Sequence, residues 1–191
     1  RVELARTASD VRRISRKGKL ACLLGIEGGD AIQCDLGILR MYHRMGASLM
    51  TLTHSRTTDW ADSSTDAPRW NGLNDFGRQV IREMNRLRMV VDVSHVSDAT
   101  VEAVLEVSKQ PIVASHSSCK AIANHPRNPT DDLPRAIAKK GGVKGINFYN
   151  QFLDPDYHRG VQALHRDLLG ELNRPPAVPP ERLDQVAGDR I

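Results

Sequence analysis

Four side chains able to bind a metal or move a proton stand in matched positions of this sequence. Glu27 follows LACLLGI, His54 follows SLMTLT, His95 follows MVVDVS and His116 follows PIVAS. Each comes at the carboxyl end of a predicted buried strand, the edge of an α/β sheet or barrel where ligands bind and catalytic groups collect. Strands spaced about 4.8 Å apart can bring such side chains onto one small volume. His95 and His116 belong to consecutive strands joined by one helix, which makes them neighbours in space. Two imidazoles and a carboxylate are a donor set for zinc or a similar ion. A lone histidine at a strand end more often bonds to a loop, but four polar groups at one edge favour a functional site.

Other residues have two readings each. Asp92 points inward in its strand by alternation, either to orient a ligand or as a satisfied buried carboxylate. Arg127, in HPRNPTDD, suits bidentate capture of a substrate carboxylate, or else a salt bridge at a helix entry. Gly28 and Gly29 let the chain turn sharply after Glu27 and keep bulk away from the site. His43, His125, His158 and His165 fall on helices or loops and read as surface or structural residues.

The elements that must position these groups are five short apolar runs: Leu20–Ile26, Ser48–Thr53, Met89–Ser94, Pro111–Ser115 and Gly142–Asn147. Most are rich in Val, Ile or Leu without strict alternation, as expected of parallel strands buried on both faces. Helical stripes lie between them. Leu36, Leu39, Tyr42 and Met45 form one, and Phe76, Val80, Ile81, Met84 and Leu87 form another starting near Asn74. Ser97 opens a short helix carrying Ala99, Ala103, Leu105 and Val107. Thr130 with two acidic residues opens the next, and Gly141 and Gly142 close it. Strand and helix alternate, which predicts βαβ units in a parallel sheet. The long segment Thr57–Gly72 carries Trp60 and Trp70; a loop of that length in a compact domain is functional or mobile. Val161, Leu164, Leu168 and Leu172 predict one more helix within residues 151–191, and 175–180 (PPAVPP) reads as a linker. The whole chain, residues 1–191, reads as one domain.

Composition narrows the function classes. A chain of 191 residues with 40% hydrophobic and 26% charged residues is an ordinary globular protein. Its +4 charge comes largely from Arg12, Arg13, Arg16, Lys17 and Lys19 on a predicted surface helix and its exit, and aromatics are only 4%. With so few stacking platforms, nucleic-acid binding is not expected. No run approaches the roughly 20 apolar residues of a membrane span. Three cysteines without metal spacing argue against a disulfide framework and for a reduced, cytoplasmic setting.

The segments GIEGGDAI, LMTLTHSRTTDWAD, NGLNDFGRQVIREMNRL, VDVSHVSDATVEAVLEVSKQPIVASHSS, HPRNPTDD and NFYN, in that order, closely resemble the renal (membrane) dipeptidase family of zinc metallopeptidases. The match runs from about Val2 to about Asn150. The resemblance implies a (β/α)8 TIM-type barrel of the metallo-dependent hydrolase type, with two zinc ions at its C-terminal face. It implies that Glu27 bridges both ions and that His95 and His116 complete the ligands of the second. It further implies that His54 meets the substrate at its developing tetrahedral centre, that Arg127 grips the dipeptide's terminal carboxylate, and that Tyr149 lines the substrate pocket. The family's early His-x-Asp pair would precede Arg1, and its late proton-transfer Asp would follow Ile191. Asp30 stands where a histidine often follows the two glycines, and Arg56 where vertebrate relatives place a disulfide cysteine.

About five strands cannot close an eight-stranded barrel. The expectation is therefore either a longer polypeptide, preferred because the surviving ligand positions are intact, or a truncated relative with little activity. The expected chemistry is metal-assisted hydrolysis of a dipeptide by an activated water. One alternative is a binuclear amidohydrolase acting on a non-peptide amide or ester. The other is a non-catalytic metal- or partner-binding remnant, dimeric through its open edges.

Overall fold

The structure, a computed structural model, describes residues 1–172. Its elements run β1 (Val2–Leu4), α1 (Ala8–Arg16), β2 (Leu20–Cys22), β3 (Leu24–Glu27), α2 (Leu36–Met45), β4 (Ala47–Thr51), α3 (Asp75–Leu87), β5 (Val90–Asp92), α4 (Asp98–Val107), β6 (Val113–Ser117), α5 (Asp132–Lys139), β7 (Val143–Ile146), α6 (Asn150–Leu153) and α7 (Pro155–Leu172). Strands β3 to β7 make one parallel sheet in sequence order, and β1 pairs in parallel with β2. Sequential order is what successive right-handed βαβ units produce as they build toward a barrel.

Local chemistry sets the helix starts. The Asn74 side chain accepts the Gly77 N–H at α3, and Ser97 accepts the Thr100 N–H at α4, each satisfying a donor that the first turn leaves unpaired. At α5 the cap position is Asp131, one residue past Thr130, and its side chain makes no capping bond. The basic residues of α1 form a solvated face, where Arg13, joined by Lys19 from beyond the helix, pairs with Glu3.

Several expectations are corrected. The run Leu20–Ile26 is two strands, β2 and β3, which pair with different partners. β1 was not expected, because Val-Glu-Leu is too short to show a period. His116 lies inside β6 and not past its end. Met45 leaves its stripe and is 66% exposed, since it sits at the last turn of α2. Residues 175–180 lie outside the described residues. No described helix is long and apolar enough to cross a membrane.

Register decides which side chains share a face. Glu27 pairs with Thr51, Thr51 with Asp92, and Leu49 with Val90. Residues paired in a parallel ladder project to the same side. Glu27, Thr51 and Asp92 thus form a polar row at the carboxyl end of the sheet, beyond an apolar row containing Leu49 and Val90. The opposite face carries Met50, Val91 and Ala114, packed with Leu39, Val80, Ile81, Met84 and Val104. On the side away from the helices Thr51 and Asp92 are buried, while Val90 and Val143 remain 36% and 66% exposed, so among the described residues burial on both faces is met only toward the carboxyl ends of the central strands.

The segment between β4 and α3 is packed, not loose. Asp62 is buried, and its carboxylate accepts the backbone N–H groups of Arg69, Trp70 and Gly72 at 2.8–3.2 Å. Its own carbonyl accepts from Ser97 N–H and the Thr100 hydroxyl. Removing the carboxylate would strand several donors in a buried loop, at a cost of about 1–3 kcal/mol per group. Asp62→Ala is accordingly expected to destabilise the protein by about 3 kcal/mol in equilibrium denaturation; a change below about 0.5 kcal/mol would show that water replaces these bonds freely.

Candidate metal centre

Three donor atoms from three elements converge. Glu27 is the last residue of β3, His116 the penultimate residue of β6, and His95 follows β5. His95 Nε2 and His116 Nε2 lie 2.9 Å apart, and Glu27 Oε1 lies 3.1 Å from the first and 3.2 Å from the second. They form the metal-type cluster found among the described residues.

His95 reaches this position through its backbone. It adopts φ +69, in the left-handed region that a non-glycine residue occupies at a cost. The packed loop holds it there: Ser64 N–H donates to the His95 carbonyl at 2.8 Å, and the Ser63 hydroxyl lies 3.2 Å from the same oxygen. Ser63 also donates to the His54 carbonyl at 2.8 Å. The Trp60–Trp70 loop is therefore a clamp on two histidines. The turn after Glu27 needs its glycines too. Gly28 has φ +113, and a Cβ on Gly29 would lie 2.4 Å from both the Leu52 carbonyl oxygen and the Trp60 ring.

Burial pushes the His95 imidazole down to about 3, with further lowering from the charges of Arg127, His54 and His116. At neutral pH the ring is thus uncharged and has a lone pair to offer. His54 flanks the cluster without entering it. Its Nε2 is 3.9 Å from Glu27 Oε1, and its ring is tilted against that of His95 at 4.3 Å between centroids. It also lines a cavity of about 750 Å³ together with Asp30, Cys34, Arg56 and Trp60, a volume in the range of small-molecule sites.

Arg127 is 7% exposed and has no carboxylate partner among the described residues. Its guanidinium donates to the His116 carbonyl at 3.3 Å and stands over the Phe152 ring at 5.4 Å. Burial draws it down to about 10, opposed by Asp92 and Glu27, so it remains a cation at neutral pH. His125 holds the Arg127 loop, accepting the Arg127 N–H through Nδ1 at 3.0 Å. Burial first, then His158 and Arg127, push His125 to about 4, which keeps that nitrogen free to accept. Tyr149 follows β7 at the same edge, half exposed and edge-on to Phe152 at 5.2 Å. It is tied to Arg127 through that shared ring.

Asp92 is fully buried and accepts four hydrogen bonds, from Ser94 N–H, Ser115 N–H, the Thr51 hydroxyl and the Ser115 hydroxyl. Ser115, Thr51 and Ser63 were not singled out from the sequence. The one available signal was a serine directly before each of His95 and His116.

The donors fit a divalent ion of the zinc type. Two imidazole nitrogens and a carboxylate oxygen are borderline donors of the right kind, and their 2.9–3.2 Å separations suit bonds of about 2.0–2.1 Å to a shared centre. A parallel β/α sheet with polar groups gathered at its carboxyl ends is the arrangement of a TIM-type barrel, whose sites lie on that face. The chain belongs to the membrane dipeptidase family (peptidase family M19), whose profile matches residues 1–174. It is similar to dipeptidase verJ of Clonostachys rogersoniana, with 41% identity over 157 residues, 82% of this chain and 40% of that protein. Among solved structures it resembles a metallopeptidase from Rhodobacter sphaeroides liganded with a phosphinate mimic of the dipeptide L-Ala-D-Ala. That match has a TM-score of 0.75 and 31% identity, covering 81% of this chain and 46% of the other. It also resembles the probable dipeptidase PvdM from Pseudomonas aeruginosa, with a TM-score of 0.72 and 31% identity over 76% of this chain and 38% of the other. The chain thus spans less than half the length of these relatives.

Proposed function

We propose that the protein hydrolyses dipeptides as a zinc metallopeptidase, with Glu27, His95 and His116 as metal ligands. The observation that carries this is the meeting of those three donor atoms within 3.2 Å of one another. Zinc, when bound, supplies a water of lowered pKa and polarises the scissile carbonyl. The Glu27 side chain is 52% exposed and meets the histidines through Oε1 alone, which leaves its second oxygen available to another ion and supports a two-zinc site. His54, beside Glu27 and open to the cavity, donates a hydrogen bond to the oxygen that gains charge as the carbonyl is attacked. Arg127 takes the substrate's terminal carboxylate in a fork of two N–H bonds. A buried guanidinium with no carboxylate partner among the described residues is suited to that task. Requiring a free carboxylate one residue beyond the scissile bond limits substrates to dipeptides. Tyr149 and Phe152 form the wall beside that carboxylate. The mimic of L-Ala-D-Ala held by the Rhodobacter relative supports a small dipeptide as the first substrate to try.

The test is metal analysis of the intact protein together with hydrolysis of L-Ala-D-Ala and L-Ala-L-Ala. The expected result is about two zinc ions per chain, with hydrolysis abolished by a chelator and restored by zinc. Hydrolysis at full rate in metal-depleted protein would overturn the proposal, as would a zinc-loaded protein inert toward every dipeptide.

A further inference from the structure

We propose that Asp92, acting through the Ser115 hydroxyl, holds His116 in the tautomer that presents a bare Nε2 to the metal cluster. Asp92 and Ser115 are then positioning residues, and their role rests on the metal-site reading above.

The direction of each hydrogen bond follows from counting protons. Asp92 is surrounded by donors only. One oxygen takes the backbone N–H groups of Ser94 and Ser115 at 3.0 and 2.9 Å; the other takes the Thr51 hydroxyl at 2.7 Å and the Ser115 hydroxyl. Ser115 has a single hydroxyl proton, and the carboxylate, which can only accept, claims it. The Ser115 oxygen must then accept from its other neighbours. His116 Nδ1 lies 2.7 Å away and Ser94 Oγ 3.3 Å away. Ser94 Oγ already accepts the His116 backbone N–H at 2.9 Å, so its own proton is free to point to Ser115. Protons therefore run one way, from His116 Nδ1–H to Ser115 and from Ser115 to Asp92. An uncharged imidazole with its proton on Nδ1 has a lone pair on Nε2, the atom that meets His95 and Glu27.

The sheet builds this arrangement. Thr51 and Asp92 are ladder partners, and pairing of β5 with β6 brings Ser115 to the same carboxylate. His95 is held differently. Its Nδ1 is buried without a hydrogen-bond partner among the described residues, and its ring is aimed by the clamped backbone. One ligand is set by a relay and the other by strain.

The experiment uses the intact protein, stripped of metal and titrated with zinc against a competing chelator. Ser115 is exposed at this edge, and its substitution removes one of the four hydrogen bonds to Asp92. Ser115→Ala is expected to weaken zinc binding about 10–100-fold, with the metal-free protein still folded and its unfolding midpoint lowered only by that one lost bond. Ser115→Thr keeps the hydroxyl and is expected to restore affinity to within about threefold of wild type. In Asp92→Asn the amide can donate to Ser115, whose proton then turns toward His116 Nδ1. ¹⁵N shifts of His116 in the metal-free protein are expected to show Nδ1–H in wild type and Nε2–H in Asp92→Asn. Wild-type zinc affinity in Ser115→Ala overturns the relay, and so does an Nε2–H tautomer in the wild type. If the wild type binds no zinc at all, the metal assignment itself fails, and the tautomer still decides the relay separately.

Discussion

His116→Ala is expected to lose metal from the cluster and to lower kcat/KM for a dipeptide by on the order of 10³–10⁵-fold, with the fold retained. The size of the effect follows from what is removed. His116 Nε2 is one of three clustered donors, 2.9 Å from His95 Nε2 and 3.2 Å from Glu27 Oε1. Two remaining donors do not enclose an ion as three do, and the loss of a metal-activated water amounts to several kcal/mol of transition-state stabilisation. The fold survives for an equally local reason. The His116 side chain is 33% exposed, and after its removal Ser115 still bonds to Asp92. Metal analysis and thermal unfolding of the metal-free variant separate the two effects. A variant that keeps its zinc and its full activity would show that His116 is not a ligand.

The second large effect concerns Arg127 and is read as a discrimination between substrates. Wild type is expected to prefer L-Ala-L-Ala over its C-terminal amide by about 10²–10³-fold, since a charge-assisted fork to a carboxylate is worth roughly 3–4 kcal/mol in a desolvated site and each 1.4 kcal/mol is tenfold. Arg127→Met is expected to erase that preference, mainly by slowing the acid substrate. The comparison is needed because Arg127 has structural contacts as well, with the His116 carbonyl and the Phe152 ring. Damage through those contacts would slow acid and amide alike. Equal losses on both substrates would therefore remove Arg127 as the carboxylate clamp and favour an amidohydrolase with no carboxylate requirement.

Much of the fold was legible because its signals are local. Asn74 and Ser97 mark the starts of α3 and α4 through bonds spanning three residues. The apolar runs mark β4 to β7 to within about two residues, and the strand-helix alternation implies a parallel sheet. β1 escaped notice because three residues carry no period. The split between β2 and β3 escaped because it depends on pairing partners and not on side-chain type. Met45 continued a helical stripe in sequence yet ends in solvent, 66% exposed at the last residue of α2, while Tyr42 in the same turn packs against the core.

For the site, residue type and position along the chain marked which residues were eligible: a glutamate, three histidines and an arginine at or after the carboxyl ends of apolar runs, within segments that resemble a known family. Strand order made His95 and His116 neighbours, and the resemblance separated the role of His54 from theirs, but neither carried the distances: the folded chain brings His95 Nε2 to 3.1 Å from Glu27 Oε1 and leaves His54 Nε2 at 3.9 Å. That difference comes from the left-handed backbone at His95, held by Ser63 and Ser64 from a distant loop. Whether Asp92 was a ligand-orienting group or a satisfied carboxylate was also undecidable from alternation. It proves to be satisfied, and one of its four donors is the hydroxyl that reaches His116. Such outcomes depend on strand register, where a shift of one residue would send Asp92 to the other face of the sheet. Residue type and spacing record local preference. The meeting of side chains from β3, the turn after β5 and β6 is a sum over long-range contacts that no single segment contains.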